Sequence, residues 1–450
     1  MTGPDVAVVV VGAGAAGLGA AHALRADGME PLVLEAAELP GGVIRSERVG
    51  DYLVERGPNT VLVKAPALAL LRRLGLEGEL AAASPQGGLR FLIREGRLEP
   101  LPTGLVTAVR TPLLSARGKL RMLREPFVAR GDGSGESVDE FCTRRLGREA
   151  SDALVGPFLT GIYAGDEREL GAEAVFPSLV GFERQRGSIV RGALASRRGG
   201  DQPKGLRGSY SGVSGLGCIA EGLGRGLGEA LECDARVNGL ARDGDTWRVS
   251  VEGASGQREI RAGAVVLALP AQPAAQLLRP LDPELADDVG GIAYAPIVSI
   301  SLGIDPKDAR EAIRGFGFLV PRRENLKVLG CLFLSQLFPG RAPAGRELLT
   351  SMLGGVRWRE AVDQPDDILL EALHRDLERT LGLRGAGETL AITRWPHAVP
   401  QPGRDHVGRI ARVRKRAAQL GGLALAGAWL DGVGVPDALA SGLPAAAALK

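Results

Sequence analysis

Residues 6–35 read VAVVVVGAGAAGLGAAHALRADGMEPLVLE, and this stretch decides the fold. Val6 to Val11 is a valine-rich run of the kind that forms a strand buried on both faces. Gly12-Ala13-Gly14-Ala15-Ala16-Gly17 makes a turn, and Leu18 to Asp27 has an Ala- and Leu-rich helical pattern closed by Gly28. Pro31 to Leu34 is a second apolar run that ends at Glu35. Strand, GxGxxG, helix, strand and acid in this order are a dinucleotide-binding βαβ unit. Gly12 permits the tight turn, Gly14 lets backbone approach a pyrophosphate, and Gly17 lets helix and strand pack closely. Free N–H groups at Ala15, Ala16 and Gly17 and the helix dipole favour the phosphates. Glu35 is placed to accept hydrogen bonds from a ribose, and an acid there disfavours a 2′-phosphate.

Three further segments favour FAD over NAD. Leu39-Pro40-Gly41-Gly42-Val43-Ile44-Arg45-Ser46 follows directly. Gly41 and Gly42 let backbone, with Val43, run along a ribityl-pyrophosphate chain, and Arg45 can pair with a phosphate oxygen. In Glu55-Arg56-Gly57-Pro58-Asn59-Thr60 a Gly-Pro turn can bring backbone to an isoalloxazine ring. Near the other end, Gly427-Ala428-Trp429-Leu430-Asp431-Gly432-Val433-Gly434-Val435 lies between a strand and a final helix. Its helix N-terminus can aim N–H groups at a flavin's pyrimidine end or ribityl chain. Trp395 either packs beside the flavin or braces the core.

The 450 residues suggest two or three domains. A formal charge of +2 leaves no polyanion-binding surface, so nucleic acid is not an expected partner. Four scattered cysteines (Cys142, Cys218, Cys233, Cys331) imply neither a disulfide framework nor a metal site and fit a reducing compartment. The apolar stretch from residue 6 has no basic segment before it and is broken by glycines, so no membrane span is expected. His22 and His374 read as structural. No HExxH, GxSxG or P-loop occurs, which suits an oxidase whose cofactor carries the chemistry.

Along the chain, Leu68 to Leu80 reads as a helix and Arg90 to Leu101 as a hairpin turning at Glu95-Gly96. Residues 113–200 read mostly helical, and Arg197 to Gly217 as a loop or boundary. Strands are expected at Trp247–Val251, Ala264–Leu269, Tyr294–Ile304, Phe316–Pro321, Leu348–Leu353 and Leu423–Gly427. Helices are expected at Ile219–Ala230, Asp366–Leu381 and Ala438–Leu449. The two-residue spacing of Phe316 and Phe318 would place both on one strand face. The expected class is α/β. A Rossmann-like FAD-binding domain is assembled from residues 1–86, 205–272 and 388–450. An inserted α+β substrate domain takes 87–112 and 273–387, and a helical region takes 113–204.

The chain resembles the oxygen-dependent, FAD-containing protoporphyrinogen oxidases of the flavin amine-oxidase superfamily. The likeness runs almost end to end. It rests on the GxGxxG, Glu35, Leu39 to Ser46, Gly57-Pro58-Asn59 and Arg90-Phe91-Leu92. It continues through Gly161-Ile162-Tyr163-Ala164-Gly165-Asp166, Phe176-Pro177-Ser178-Leu179, Gly315-Phe316-Gly317-Phe318-Leu319-Val320-Pro321, Met352-Leu353-Gly354-Gly355 and Val399-Pro400-Gln401. The resemblance implies oxidation of a porphyrinogen in three two-electron steps, each passing a hydride to the flavin, with O2 regenerating it and yielding hydrogen peroxide. No catalytic side chain is required. Arg90 would pair with a propionate. Phe316, Gly317, Leu319 and Met352 would line an apolar slot, Gly165 would contribute backbone, and Val237 would sit by the adenine. The resemblance also implies a cytoplasmic protein lying on the inner membrane through its helical region, where Arg117, Lys119, Arg121 and Arg124 accompany Leu113, Leu114, Leu120, Met122 and Leu123. It implies a homodimer and delivery of product to a ferrochelatase. Coproporphyrinogen is the alternative substrate; amine oxidation, carotenoid desaturation, and a non-enzymatic flavin-stabilised protein are readings from other classes. Pro402, Asp405 and Ala438 depart from the family pattern.

Overall fold

Val6–Val11 (β1), Ala15–Ala26 (α1) and Pro31–Leu34 (β2) form the expected βαβ unit, and the molecule is built outward from it. The computed structural model describes residues 4–102, 104–131, 135–198, 205–254 and 256–449. β1 pairs in parallel with β2 on one side and with the strand Gly256–Leu267 on the other. Val9 and Val10 are fully buried, one in each of two apolar cores on opposite faces of the sheet. This is the burial that a continuous valine run predicts. The sheet continues through Arg236–Asp243 and Thr246–Gly253, takes Leu231–Glu232 beside β2, and takes Leu423–Leu425 beside Gly256–Leu267. Early, middle and late parts of the chain therefore share one sheet.

The final helix, Val435–Ala447, crosses α1 at a point that tolerates no side chain. A Cβ on Gly19 would lie 2.1 Å from the Leu439 carbonyl oxygen, and one on Gly442 would lie 2.2 Å from the Ala20 nitrogen. The helix starts three residues before the expected Ala438. Pro436 explains the difference: in the first turn its missing N–H costs nothing.

The second sheet has the order Glu388–Pro400, Tyr294–Ile304, Glu347–Gly354, Val328–Phe333, Gly317–Leu319, Arg90–Arg94, Arg97–Pro100. Every pairing is antiparallel except Gly317–Leu319 with Arg90–Arg94. One face packs through Val298, Ile300, Phe318 and Phe333 onto Leu369, Leu373 and Leu377 of the helix Asp366–Leu381. The hairpin turns at Glu95 and Gly96, both at positive φ.

Some boundaries differ from the expectation. The helix expected over 68–80 runs Ala65–Arg73, because Gly75 leaves the helical region at φ +70°. Leu80–Ala82 instead pairs with Tyr210–Gly212. Phe316 and Phe318 do not share a face. Phe318 enters the core against the long helix, whereas Phe316 packs near Tyr52, Leu334 and Leu337. Gly315 at φ +84° and Gly317 at φ +130° break the alternation between them. The helices Ala271–Leu278 and Pro283–Gly290 join the core of the first sheet, beyond the boundary expected at 272. The strand Glu388–Pro400 belongs to the second sheet rather than the first. Residues 199–204, in the expected loop before Gly217, lie outside the described residues.

The described part of 113–200 is helical, as expected. Its arginines are not all a solvated face. Arg145 and Glu125 form a fully buried pair, and Arg144 bridges Glu136 and Glu183. Burial pushes the Glu125 carboxyl up, but hydrogen bonds from Ser188, Arg145 and the Ile189 and Val190 amides outweigh it and hold the group low. No helix among the described residues is long and apolar enough to cross a membrane.

Candidate functional site

The turn after β1 is constrained on the side facing the protein and open on the other. Gly12 sits at φ +97°, and a Cβ there would lie 2.8 Å from the Ala268 carbonyl oxygen. A Cβ on Gly17 would lie 1.8 Å from the Gly12 carbonyl oxygen, so strand and helix meet backbone to backbone. A Cβ on Gly14 would meet nothing within 4 Å. Gly14 caps α1 in an extended conformation with no side chain closing the helix N-terminus. The first amides of α1 therefore border free space where an anion is favoured.

The second glycine segment closes on the first. The Gly41 amide donates to the Ala13 carbonyl at 2.8 Å, Gly14 and Gly41 form a parallel bridge, and a Cβ on Gly42 would come 3.3 Å from the Gly14 Cα. The Glu35 carboxylate accepts the Ala13 amide at 2.7 Å and the Ala37 amide at 2.9 Å. It thus braces the glycine turn and keeps lone pairs for a further donor. Val237 packs at the edge of the same sheet, two residues after Ala235, whose amide donates to the Glu35 carbonyl. Val43 and Arg45 are exposed; Arg45 donates to the Gly42 carbonyl and has no ion pair among the described residues.

Gly57 passes against this loop, where a Cβ would lie 1.8 Å from the Val43 carbonyl oxygen. Pro58 and Thr60 are half-buried around Asn59, which is buried. Its Nδ2 donates to the Gly57 carbonyl, and its Oδ1 has no partner among the described residues. A buried acceptor left open is costly unless a ligand supplies the donor. At the far end of the chain, the Gly427 amide donates to Ser441 Oγ, Val433 is half-buried, and Gly434 caps the final helix. Val435 packs with Ala15, Ile44 and Val61 around Leu216 and Ala220. Three segments far apart in sequence thus converge on one cradle. Its free helix amides, missing side chains and open Asn59 acceptor fit an FAD.

The face of the second sheet opposite the long helix forms the second half of the site. Phe91, Phe318, Leu349 and Leu353 point into the core, so Arg90, Gly317, Leu319 and Met352 lie on the other face. Register aligns them: Arg90 is opposite Gly317, and Leu319 is opposite Gly330, which is opposite Met352. The Arg90 guanidinium stacks 4.3 Å from the centre of the Phe316 ring and has no ion pair among the described residues. Partial burial lowers its pKa. Helix Gly156–Tyr163 lies over this face, since a Cβ on Gly161 would reach Leu319 at 2.7 Å. Gly165 follows Ala164 in a turn whose carbonyl accepts the Val356 amide, and a Cβ on Gly165 would strike Gln401 Oε1 at 2.3 Å.

The two halves adjoin. Tyr52–Glu55 packs against Leu348, Leu390 and Ala391 of the second sheet and runs into Gly57–Thr60. Trp395 Nε1 donates to the Arg56 carbonyl at 2.9 Å. Burial pushes the Tyr163 phenol up and the Asp437 carboxylate adds to it, which puts the end of the covering helix within electrostatic reach of the C-terminal glycine segment.

Residues beyond those picked from sequence also build the site. Glu55, inside a quoted motif but given no role, is buried at the centre of a network. It accepts from Ser46, Ser211, the Leu216 amide and Arg341, itself buried. This pair ties the loop before the strand Glu347–Gly354 to the Gly57 turn, and a lone arginine 286 residues away leaves no signal in sequence. Gln401 Nε2 donates to the Tyr163 carbonyl at 2.7 Å and fixes the turn before Gly165. Arg357 donates to the Val320 carbonyl and Thr160 Oγ1 and has no ion pair among the described residues. Burial, with Arg322 adding to it, lowers its pKa to about 10.

The family model described as flavin containing amine oxidoreductase matches residues 15–450. A chloroplastic protoporphyrinogen oxidase of Oryza sativa subsp. japonica is 32% identical, over 94% of this chain and 84% of the relative. A coproporphyrinogen III oxidase of Bacillus subtilis is 27% identical, over 97% of this chain and 96% of that one. A crystal structure from Exiguobacterium sp. 255-15, proposed to be a protoporphyrinogen oxidase, superposes with a TM-score of 0.83 at 26% identity, covering 99% and 98% of the two chains.

Proposed function

The chain belongs to the flavin-containing amine oxidoreductase family, and from that premise we propose that it oxidises a porphyrinogen to a porphyrin in tetrapyrrole synthesis, with protoporphyrinogen as the substrate. The observation that carries this reading is the slot. Arg90, a guanidinium with no ion pair among the described residues, stands over Phe316 beside an apolar floor of Leu319 and Met352. A largely apolar macrocycle with carboxylate arms has that same distribution of chemistry.

The residues then take defined parts. The Gly12–Gly17 turn holds the FAD pyrophosphate with Gly41, Gly42 and Val43, and Arg45 adds a charge. Glu35 takes the adenosine ribose and Val237 lies by the adenine. Gly57 to Thr60, Trp395, Gly427 and Val433 to Val435 enclose the flavin end. When bound, FAD supplies the hydride acceptor and the route for electrons to O2. Arg90 anchors a propionate through a charge-assisted contact. Phe316, Gly317, Leu319 and Met352 exclude water and orient the macrocycle, while Gly165 lets backbone come close. No side-chain base is invoked. We assign to the cofactor domain the helices up to residue 290 that pack on the first sheet, and to the substrate domain the strand Glu388–Pro400 that pairs in the second.

Coproporphyrinogen is the second reading, and Arg357 favours it. A second guanidinium, with no ion pair among the described residues, lies at the end of the strand Gly317–Leu319 remote from Arg90, where an additional carboxylate could be met. The helical region exposes Leu120, Leu123 and Phe127 close to Arg117 and Arg124, which suits a protein lying on a membrane surface.

The deciding experiment supplies each porphyrinogen separately to the flavin-loaded protein in air and follows porphyrin fluorescence. Formation above the autoxidation rate from one of them is expected. Autoxidation rates from both would sink the proposal.

A further inference from the structure

Between α1, the helix Ala65–Arg73, the helix Gly217–Arg225 and the final helix lies a cavity of about 40 Å³ whose every lining residue is an Ala, Val, Leu, Ile or Pro. Its lining includes Ala67, Leu71 and Leu223 on the helices, and also Ile44, Val61 and Val435. The last three border the cradle. Ile44 follows Val43, against whose carbonyl Gly57 packs; Val61 follows the Asn59-Thr60 turn; Val435 follows Gly434. The cavity therefore runs from the apolar interior to the corner where the second glycine segment, the Gly57 turn and the C-terminal segment meet.

Water has no partner in such a space. A wholly apolar cavity stays dry and takes up small apolar guests, and this one is large enough for one of them. A helical layer packed at ordinary density has few voids larger than a water molecule, and those that exist are few per domain.

We propose that this cavity binds a small apolar diatomic gas and holds O2 beside the cofactor's ring end. The proposal rests on the oxidase reading above. It adds the place from which the second substrate arrives. In the reaction served, O2 takes up two electrons and one proton from the reduced cofactor and a second proton from solvent, and leaves as hydrogen peroxide. Nothing else is consumed. The cavity contributes only a preformed, desolvated position for a guest that water solvates poorly.

The test uses the FAD-loaded protein without any porphyrinogen. A crystal of it under xenon pressure should show one xenon among Ala67, Leu71 and Leu223. Separately, the flavin is reduced photochemically without air, mixed with oxygenated buffer, and its reoxidation followed by absorbance. Ala67→Leu should displace the xenon and slow reoxidation severalfold, while the visible spectrum of the oxidised flavin stays as in the parent. Ala67→Val, a smaller intrusion, should do both to a lesser degree and guards against a Leu variant that does not fold. Xenon absent from the parent cavity, or reoxidation unchanged in a variant that has lost the xenon, overturns the proposal. A parent protein whose reduced flavin reacts with O2 no faster than free reduced flavin would instead overturn the oxidase reading, so the two failures are told apart.

Discussion

The cradle on the first sheet is made of backbone, and the slot on the second is made of side chains. In the cradle, the decisive distances run between main-chain atoms: the position of a missing Cβ on Gly17 is 1.8 Å from the Gly12 oxygen, and that on Gly57 is 1.8 Å from the Val43 oxygen. In the slot, Arg90, Leu319 and Met352 come from three strands that only sheet pairing aligns. The difference shows up as tolerance. Gly17 and Gly57 have no room to change, whereas a slot residue can change at the cost of one contact. Between the two stands the Glu55–Arg341 pair, which belongs to both.

That pair gives the largest expected effect. Both side chains are almost wholly buried. Glu55→Leu strands the Arg341 charge and should cost about 3–5 kcal/mol, because breaking a buried ion pair from one side leaves an uncompensated charge. Adding Arg341→Leu should restore part of it. Denaturant titration of the single and double variants measures this. A double variant as unstable as the sum of the singles would mean the two groups act independently, and the link between the halves would lie elsewhere.

The glycines come next. Gly17→Ala places a methyl into the Gly12 carbonyl, and overpacking of this kind costs about 1–3 kcal/mol, at the upper end where the obstacle is backbone. Gly14→Ala meets no protein atom. It should leave the apoprotein's stability near the parent's while weakening FAD retention, read as the flavin absorbance that survives gel filtration. If Gly14→Ala binds FAD as tightly as the parent, the pyrophosphate does not pass at Gly14.

This contrast also explains what could be read from the sequence alone. A glycine that excludes a side chain leaves its mark at its own position, so the first sheet, the cradle and even Gly434 were legible before any coordinates. A face is different. Phe316 and Phe318 read as neighbours on one face until Gly317, at φ +130°, turned the chain between them. The strand Glu388–Pro400 read as part of the first domain because nothing local says which of two sheets it will join. Arg341 and Arg357 were invisible because a buried arginine differs from a surface one only by its neighbours. The final helix begins at Val435 rather than at the expected Ala438, because Pro436 fits its first turn.

Arg90 tests the slot with a smaller change. Arg90→Ala should lower kcat/KM for the porphyrinogen roughly tenfold to a hundredfold, the equivalent of one hydrogen bond to a charged group at about 1.5–3 kcal/mol. The loss should appear in KM, with the flavin spectrum and thermal stability unchanged. Arg90→Lys should recover part of it, since the charge returns without the planar fork. Kinetics equal to the parent's would remove Arg90 from substrate binding and leave it as a surface residue resting on Phe316.

Phe316 gives the smallest effect and the sharpest use of the comparison. Its ring lies 4.3 Å from the Arg90 guanidinium, on the slot side of the sheet, at a half-buried position. A cation–π contact of this kind contributes about 0.5–1 kcal/mol near a surface, so Phe316→Leu should raise KM only a few-fold, about 2–5 times. In the Arg90→Ala background the same substitution should change KM less, because the guanidinium it orients is gone. A full effect in both backgrounds would show that the ring meets the macrocycle directly. An effect confined to the arginine-containing protein would show that it works by holding the guanidinium over the slot. The cradle offers no counterpart to this experiment: its backbone atoms cannot be removed one at a time, and that is why its glycines show in the sequence and the slot's contacts do not.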